Sequence, residues 1–298
     1  MAIRKSPLLW TASLAAVAAG SLGACGEPAG ETDASANEAA QTAEAQSGAD
    51  AQAALAGEGG GEGGGEGGEA GGEFGVDPAV AADDPVVYIS AVEVMRAHYL
   101  AGLAALQAGD RAAASGMFAH PVSEIYADFE PVAVERGAPS AMEAMNEAAV
   151  LHFQEASDEE IRTAVQRVIE LLGETEAAAP APRTSVAQVD AEVILDLADR
   201  AALQYGLAMG DASNEEAWLD AYGLNAAAQF YARRKSEGLI DAMPGLGRPL
   251  SDLLVTLETA MRDYEGPDES GPSAEDVAAS VQAYRNALLP EGDEATAP

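Results

Sequence analysis

The chain has 298 residues, with 15 Lys and Arg against 50 Asp and Glu, and a formal net charge of -35. Neutralising phosphate needs a basic face, so nucleic acid is not an expected partner, nor is the folded part expected to adsorb to anionic lipid. The single cysteine, Cys25, rules out an intrachain disulfide framework and a four-cysteine zinc site.

The first residues carry Arg4 and Lys5, then an apolar run from Leu8 to Leu22, then Leu22-Gly23-Ala24-Cys25. A charged start, an apolar core and small residues before a cut describe a secretory signal peptide, and the run is short for a membrane span. A cysteine directly after the small pair resembles the signal of bacterial lipoproteins. That resemblance implies residues 1–24 are removed, Cys25 receives a thioether-linked diacylglycerol, and the new amine is acylated with a palmitate-type chain. Two or more acyl chains anchor a protein stably to a membrane. In Gram-negative members of that class an Asp after the cysteine holds the protein in the inner membrane. Gly26 stands there instead, so the resemblance implies the outer membrane, with the mature chain facing the periplasm.

Residues 26–75 contain eleven Asp and Glu, no Lys or Arg, and the run Gly57 to Glu69 built from Gly and Glu. Such a segment buries too little to offset ordering entropy, so residues 25–75 are read as a disordered acidic Gly-rich linker. The repeated Glu-Gly units offer no fixed convergence of oxygens of the kind a calcium site needs.

From about Asp84 onward the apolar spacing is helical. Val87, Ile89, Val92, Met95, Tyr99, Leu103 and Leu106 mark a first helix over Val86 to Ala108, stopped by Gly109-Asp110. Arg111 to Ala119 is a short Ala-rich helix that His120-Pro121 should end. Val122 to Arg136 follows, with Pro131 predicting a break. Gly137 to Ser140 precedes a helix with Met142, Met145, Ala149 and Phe153. Ser157-Asp158-Glu159-Glu160 is a capping box for Ile161 to Leu172. After an Ala/Pro connection at 176–184, Val186, Val189, Val193, Leu197, Ala201 and Gln204 form a stripe ending at Gly210-Asp211. Ser213 to Glu216 caps Ala217 to Lys235, and Gly238 to Gly247 reads as turn-rich. Leu250 to Tyr264 is amphipathic, and Ser273 to Asp276 starts a last helix ending near Leu289.

Strand alternation is absent from this pattern. The expected fold is all-α, an antiparallel helical bundle with two helical halves, 76–175 and 185–289, and a frayed tail at 290–298. The turns Gly109-Asp110 and Gly210-Asp211 recur at an offset of 101 residues, and Val92, Ala97 and Leu106 align with Val193, Ala198 and Leu207. This is a weak internal echo in an Ala-rich chain.

Chemistry-bearing residues are sparse. His98 lies mid-helix; His120 precedes Pro121, with Glu124 and Asp128 following at four-residue steps. Two histidines from neighbouring helices with a nearby carboxylate make a bundle-core metal site. The competing reading has His98 as a groove histidine, His120 as a C-terminal helix cap, and Glu124 and Asp128 as a solvated face. Glu216 and Asp220, at i and i+4 beside Trp218, are a second candidate metal pair, or an acidic first turn suited to the helix dipole. His152, beside Phe153, looks ordinary, and Tyr205, Tyr222 and Tyr231 are core aromatics or hydroxyl donors. No Gly-x-Ser-x-Gly, P-loop, dinucleotide-binding or His-Glu-x-x-His motif occurs, so an enzyme is not expected.

The stretch Gln204-Tyr205-Gly206-Leu207-Ala208-Met209-Gly210-Asp211, followed by Ala217-Trp218-Leu219-Asp220-Ala221-Tyr222, resembles the helix pair in the periplasmic region of bacterial high-affinity iron permeases. Ala217 stands where that family has a Glu. The stretch His98 to Arg136 resembles uncharacterised helical periplasmic proteins. Imelysin-like proteins carry His-x-x-Glu on a helix, whereas here the spacing is His120-x-x-x-Glu124, so that motif is not matched. Together these imply a membrane-anchored envelope lipoprotein that binds iron or another divalent metal, with His98, His120, Glu124, Glu216 and Asp220 as ligand candidates. The alternative is a structural or interaction module that docks another envelope protein without a metal.

Overall fold

The computed structural model describes residues 76–211, 213–267 and 270–289. The leader, Cys25, the Gly-rich linker and the tail from 290 lie outside the described residues. Among the described residues the fold is an all-α antiparallel bundle with no strand.

The helices begin where the sequence supplies caps. After a single turn, α1 (Pro78–Ala81), Asp84 caps α2 (Pro85–Ala108): its carboxylate accepts from the Val86 and Val87 N–H groups, and Pro85 fills the first turn. Gly109, left-handed at φ 88°, ends α2, and Asp110 caps α3 (Arg111–Pro121). Two capping boxes, Ser157 with Glu160 and Ser273 with Asp276, start α6 (Asp158–Ala177) and α10 (Ala274–Leu288). Ser185 caps α7 (Val186–Gly210), and Asn214 caps α8 (Glu215–Ala242). Between these lie α4 (Ala127–Glu135), α5 (Met142–Val150) and α9 (Gly247–Ala260).

Three expectations about helix ends change. Pro121 does not end its helix. It is the last residue of α3, and the chain continues through one π turn, Val122–Tyr126, straight into α4. Proline lacks the N–H and crowds the carbonyl four residues back. The wide turn follows it, with the Ala127 N–H donating to the Val122 carbonyl five residues earlier. Pro131 likewise sits inside α4 rather than breaking it. Gly238 lies within α8, which runs to Ala242, so the turn-rich stretch begins only at Met243. The echo between the two glycine turns is also imperfect: Gly210 ends α7 without the positive φ that Gly109 has, and α8 starts five residues after Gly210 whereas α3 starts two after Gly109.

The packing is organised around α2. It touches α3, α6, α7 and α8, and it is buried along most of its length, from Tyr88 through Tyr99 without interruption. A helix surrounded on every side has no wet face, so the polar residues it carries, Glu93, Arg96 and His98, are buried too. α7 and α8 form the most extensive helix pair, and α10 closes over α7 and α9. Two glycines set how near the neighbours come. A Cβ at Gly223 on α8 would lie 2.5 Å from the Ala97 carbonyl oxygen on α2, and a Cβ at Gly102 on α2 would run into the Phe118 ring on α3. Each is a site of helix contact that only a missing side chain permits.

Candidate metal centre

The two glycine contacts flank the histidines. Gly102 is one turn beyond His98, and Phe118 precedes His120 by two residues, so the α2–α3 approach brings the imidazoles together: their centroids are 5.9 Å apart at 75°. Glu124, on the π turn, joins them. One ligand atom each from His98, His120 and Glu124 lies within 4.8 Å of the others. His98 is 5% exposed, whereas His120 and Glu124 are half-buried, so the cluster opens to solvent on the α3 side.

The tautomer of His98 follows from its partner. Nδ1 lies 2.9 Å from the Val94 carbonyl oxygen, one turn back along α2. A carbonyl only accepts, so Nδ1 carries a proton, and Nε2 is the ring atom on the Asp220 side. A backbone carbonyl held against the far ring nitrogen in this way fixes the orientation of an imidazole that could ligate a metal. His120 folds back over Gly116, whose Cβ, if present, would be 4.0 Å from His120 Nε2. Tyr99, stacked on Phe118 with centroids 6.0 Å apart, is fully buried, and burial holds its phenol far above its ordinary range. It serves as packing, not as a base.

The second candidate pair is not brought together. Asp220 is buried on α8 and its Oδ1 lies 3.7 Å from His98 Nε2. Glu216, one turn earlier, is exposed. At about 5.4 Å per turn, that step carries it out to solvent, where a carboxylate suits the helix N-terminus. Glu124 and Asp128 also part. The extra residue of the π turn rotates the register by about 100°, and Asp128 is exposed. His152 lies in a 3-10 turn with its ring 5.3 Å from Phe153, outside the cluster. The tyrosine hydroxyls serve the fold: Tyr205 donates to the Pro272 carbonyl at 2.6 Å and Tyr231 to Asp190 at 2.7 Å.

A buried charge network went unpredicted. On the same central helix, Arg96 Nε donates to Glu93 at 3.1 Å, and Arg96 also donates to the Ile169 carbonyl at 3.2 Å on α6. Arg234 on α8 bridges Glu93 at 3.0 Å and Glu176 at 2.7 Å. Lys235 reaches Glu176 at 3.2 Å and Asp190 at 4.0 Å. The Arg96 and Arg234 guanidiniums lie 5.0 and 4.5 Å from the Phe230 centroid. Desolvation raises Glu93 to about 7, against the pull of Arg96, whereas Glu176 is held below its ordinary value by Arg234 and Lys235 despite its burial. The sequence signal was available: two opposite charges three residues apart inside an otherwise apolar helix.

No family model matches the chain, and neither a curated protein nor a solved structure matches it.

Proposed function

We propose that this protein is an envelope lipoprotein, anchored through Cys25, whose helical domain captures a divalent transition-metal cation as part of iron or other metal uptake. The observation that carries the reading is the convergence of His98, His120 and Glu124 to within 4.8 Å of one another. Imidazole and carboxylate together suit iron, zinc, copper or manganese and do not suit calcium or magnesium, which take oxygen alone. The leader ending in Leu22-Gly23-Ala24-Cys25, with Gly26 after the cysteine, supports the outer membrane and a periplasmic setting in this reading.

Calorimetric titration of the full chain tests the metal reading. Cys25→Ser removes the thiol as a competing ligand, and Fe2+, Zn2+, Cu2+, Mn2+ and Ca2+ are compared. Saturable binding of one transition ion per chain is expected, lost when His98→Ala, His120→Ala and Glu124→Ala are combined. Weak, salt-sensitive heat that is unchanged in that variant would be counterion condensation on the acidic chain and would sink the reading. The anchor is tested separately: membrane association and acyl labelling of the unaltered chain should both disappear in Cys25→Ser.

A further inference from the structure

We infer that the seam between α8 and α9 is a binding groove for a fatty-acid carboxylate, its acyl tail lying along Ile240, Leu254 and Val255 and its head held by Arg233 and Arg262. The site shares no residue with the histidine cluster and does not rest on the metal reading.

The groove comes from two facing stripes. Gln229, Arg233, Ser236 and Ile240 share one face of α8 at steps of three and four, and Leu254 and Glu258 share the facing side of α9. Between them lie a cavity of about 380 Å³ and a second of about 190 Å³. Gln229 and Glu258 line both, so the cavities are two arms of one groove. From Tyr222 to Ile240 it follows α8 for roughly 27 Å. Its walls are fixed before any ligand arrives. The Gln229 amide donates to the Leu254 carbonyl at 2.7 Å across the seam, and the Asn225 amide donates to the Met261 carbonyl at 3.4 Å.

The larger arm is apolar. Ile240, Leu250, Leu254 and Val255 line it. Leu250, Leu253 and Leu257 turn into the core, yet Val255 stands 62% exposed on the same helix. A concave apolar surface with a few placed polar groups is the usual form of a small-molecule site.

The smaller arm is cationic. With 15 bases against 50 acids, a base in this chain is easily matched, and Arg96, Arg234 and Lys235 each meet a carboxylate. Arg233 and Arg262 line this arm together, and among the described residues neither has a carboxylate or carbonyl partner. Planar guanidiniums suit a carboxylate, which they can hold through paired N–H bonds. Glu258 is the one acid lining either arm, and the two guanidiniums outweigh its charge. Tyr222 lines the same arm; burial, with the charges of Glu258 and Asp263, pushes its phenol above the ordinary range, so the O–H remains a donor. An inorganic anion would use the smaller arm alone and an uncharged lipid the larger alone. A fatty acid uses both.

Titration calorimetry tests this on the full chain carrying Cys25→Ser, so that no acyl chain on residue 25 competes. The probes are saturated fatty acids from octanoate to myristate, each below the concentration at which it aggregates, with dodecanol and dodecylammonium to vary the head. Saturation at one laurate per chain is expected, with binding roughly fourfold tighter for each added methylene until the apolar arm is full. Laurate should bind more tightly than dodecanol, and dodecylammonium most weakly. Arg233→Gln with Arg262→Gln should weaken laurate roughly 3- to 30-fold and leave dodecanol unchanged, while Glu258→Gln should tighten laurate. Ile240→Ser with Val255→Ser should flatten the dependence on chain length. All five side chains are exposed, and circular dichroism checks that each variant is folded. Equal affinities for laurate and dodecanol, or a laurate affinity untouched by the arginine changes, would overturn the carboxylate head. Octanoate binding as tightly as laurate would overturn the tail, and heat that never saturates would remove the site. The chain with His98→Ala, His120→Ala and Glu124→Ala should bind laurate as before; a loss there would overturn the separation of the two sites.

Discussion

Two polar clusters share the central helix, and they are built on different principles. Around Glu93 and Arg96, three acids (Glu93, Glu176, Asp190) meet three bases (Arg96, Arg234, Lys235), each acid within 4.0 Å of at least one base. Two residues beyond Arg96 and five beyond Glu93 on α2, roughly 7.5 Å of rise from the glutamate, His98 meets His120 and Glu124, with Asp220 3.7 Å away, a set of imidazoles and carboxylates. The first cluster balances its own charge with side chains and spends its donors on fixing α6 and α8 to α2. The second offers lone pairs that a cation can use. Burial alone therefore does not distinguish a polar group that fixes the fold from one whose surroundings could hold a cation. The kind of partner that faces it does.

The comparison breaks most visibly if the network is cut. Arg96→Met removes a buried guanidinium that holds Glu93 and the Ile169 carbonyl, and losing one partner of a buried pair costs about 3–5 kcal/mol. Urea unfolding should show that loss, while the metal affinity of the molecules that remain folded stays unchanged. The opposite pattern, little destabilisation but weaker metal binding, would mean that the two clusters act as one.

A smaller effect falls on both properties. Gly223→Ala places a Cβ against the Ala97 backbone, and neither helix has a flexible side chain there to yield. Overpacking of this kind costs about 1–3 kcal/mol. Because the displacement falls on Ala97, the residue before His98, it should also weaken metal binding, whereas a destabilising change of equal size elsewhere, such as Ser157→Ala at the α6 cap, should not. Parallel calorimetry of the two variants checks this. Equal affinities would show that the α2–α8 spacing does not position the site.

Much of this was open to inspection in the sequence, and the remainder was hidden for identifiable reasons. The caps Ser157, Ser273 and the Gly109-Asp110 turn are local signals, and local hydrogen bonds honour them. His98, His120 and Glu124 could be paired because histidines are scarce in this chain and two lay on successive helices. Asp220 was noticed but assigned to Glu216, because i and i+4 spacing says which residues share a face and not how far along the helix water reaches. The π turn was invisible because Pro121 reads as a terminator, and no local pattern marks one extra residue in a helical turn. The Glu93–Arg234 pairing joins residues 141 apart in sequence, and no local pattern predicts such a contact.

The finest distinction between the clusters is protonation. Glu93 is raised to about 7 by desolvation, from an ordinary value of 4.5. Below about pH 4.5 the folded and unfolded chains both hold this proton. Between 4.5 and 7 the unfolded chain releases it first, so the folded state binds more protons and stability falls as pH rises. Above 7 both forms are ionised and the contribution is constant at its lowest level. Glu176, shifted the other way, stabilises the fold above about 4.5 and loses that contribution as pH falls further, so the two glutamates act in separate windows. Glu93→Gln removes the first window alone. The stability of the unaltered chain minus that of Glu93→Gln should decline between pH 4.5 and 7, by at most about 1.4 kcal/mol per pH unit for one proton, and then level off. Urea titrations of both chains across that range measure it. A flat difference would mean that Arg96 and Arg234 keep Glu93 ionised throughout. The network would then be a fixed set of ion pairs, and neutralisation by a proton would no longer be one of the ways this helix tolerates a buried acid.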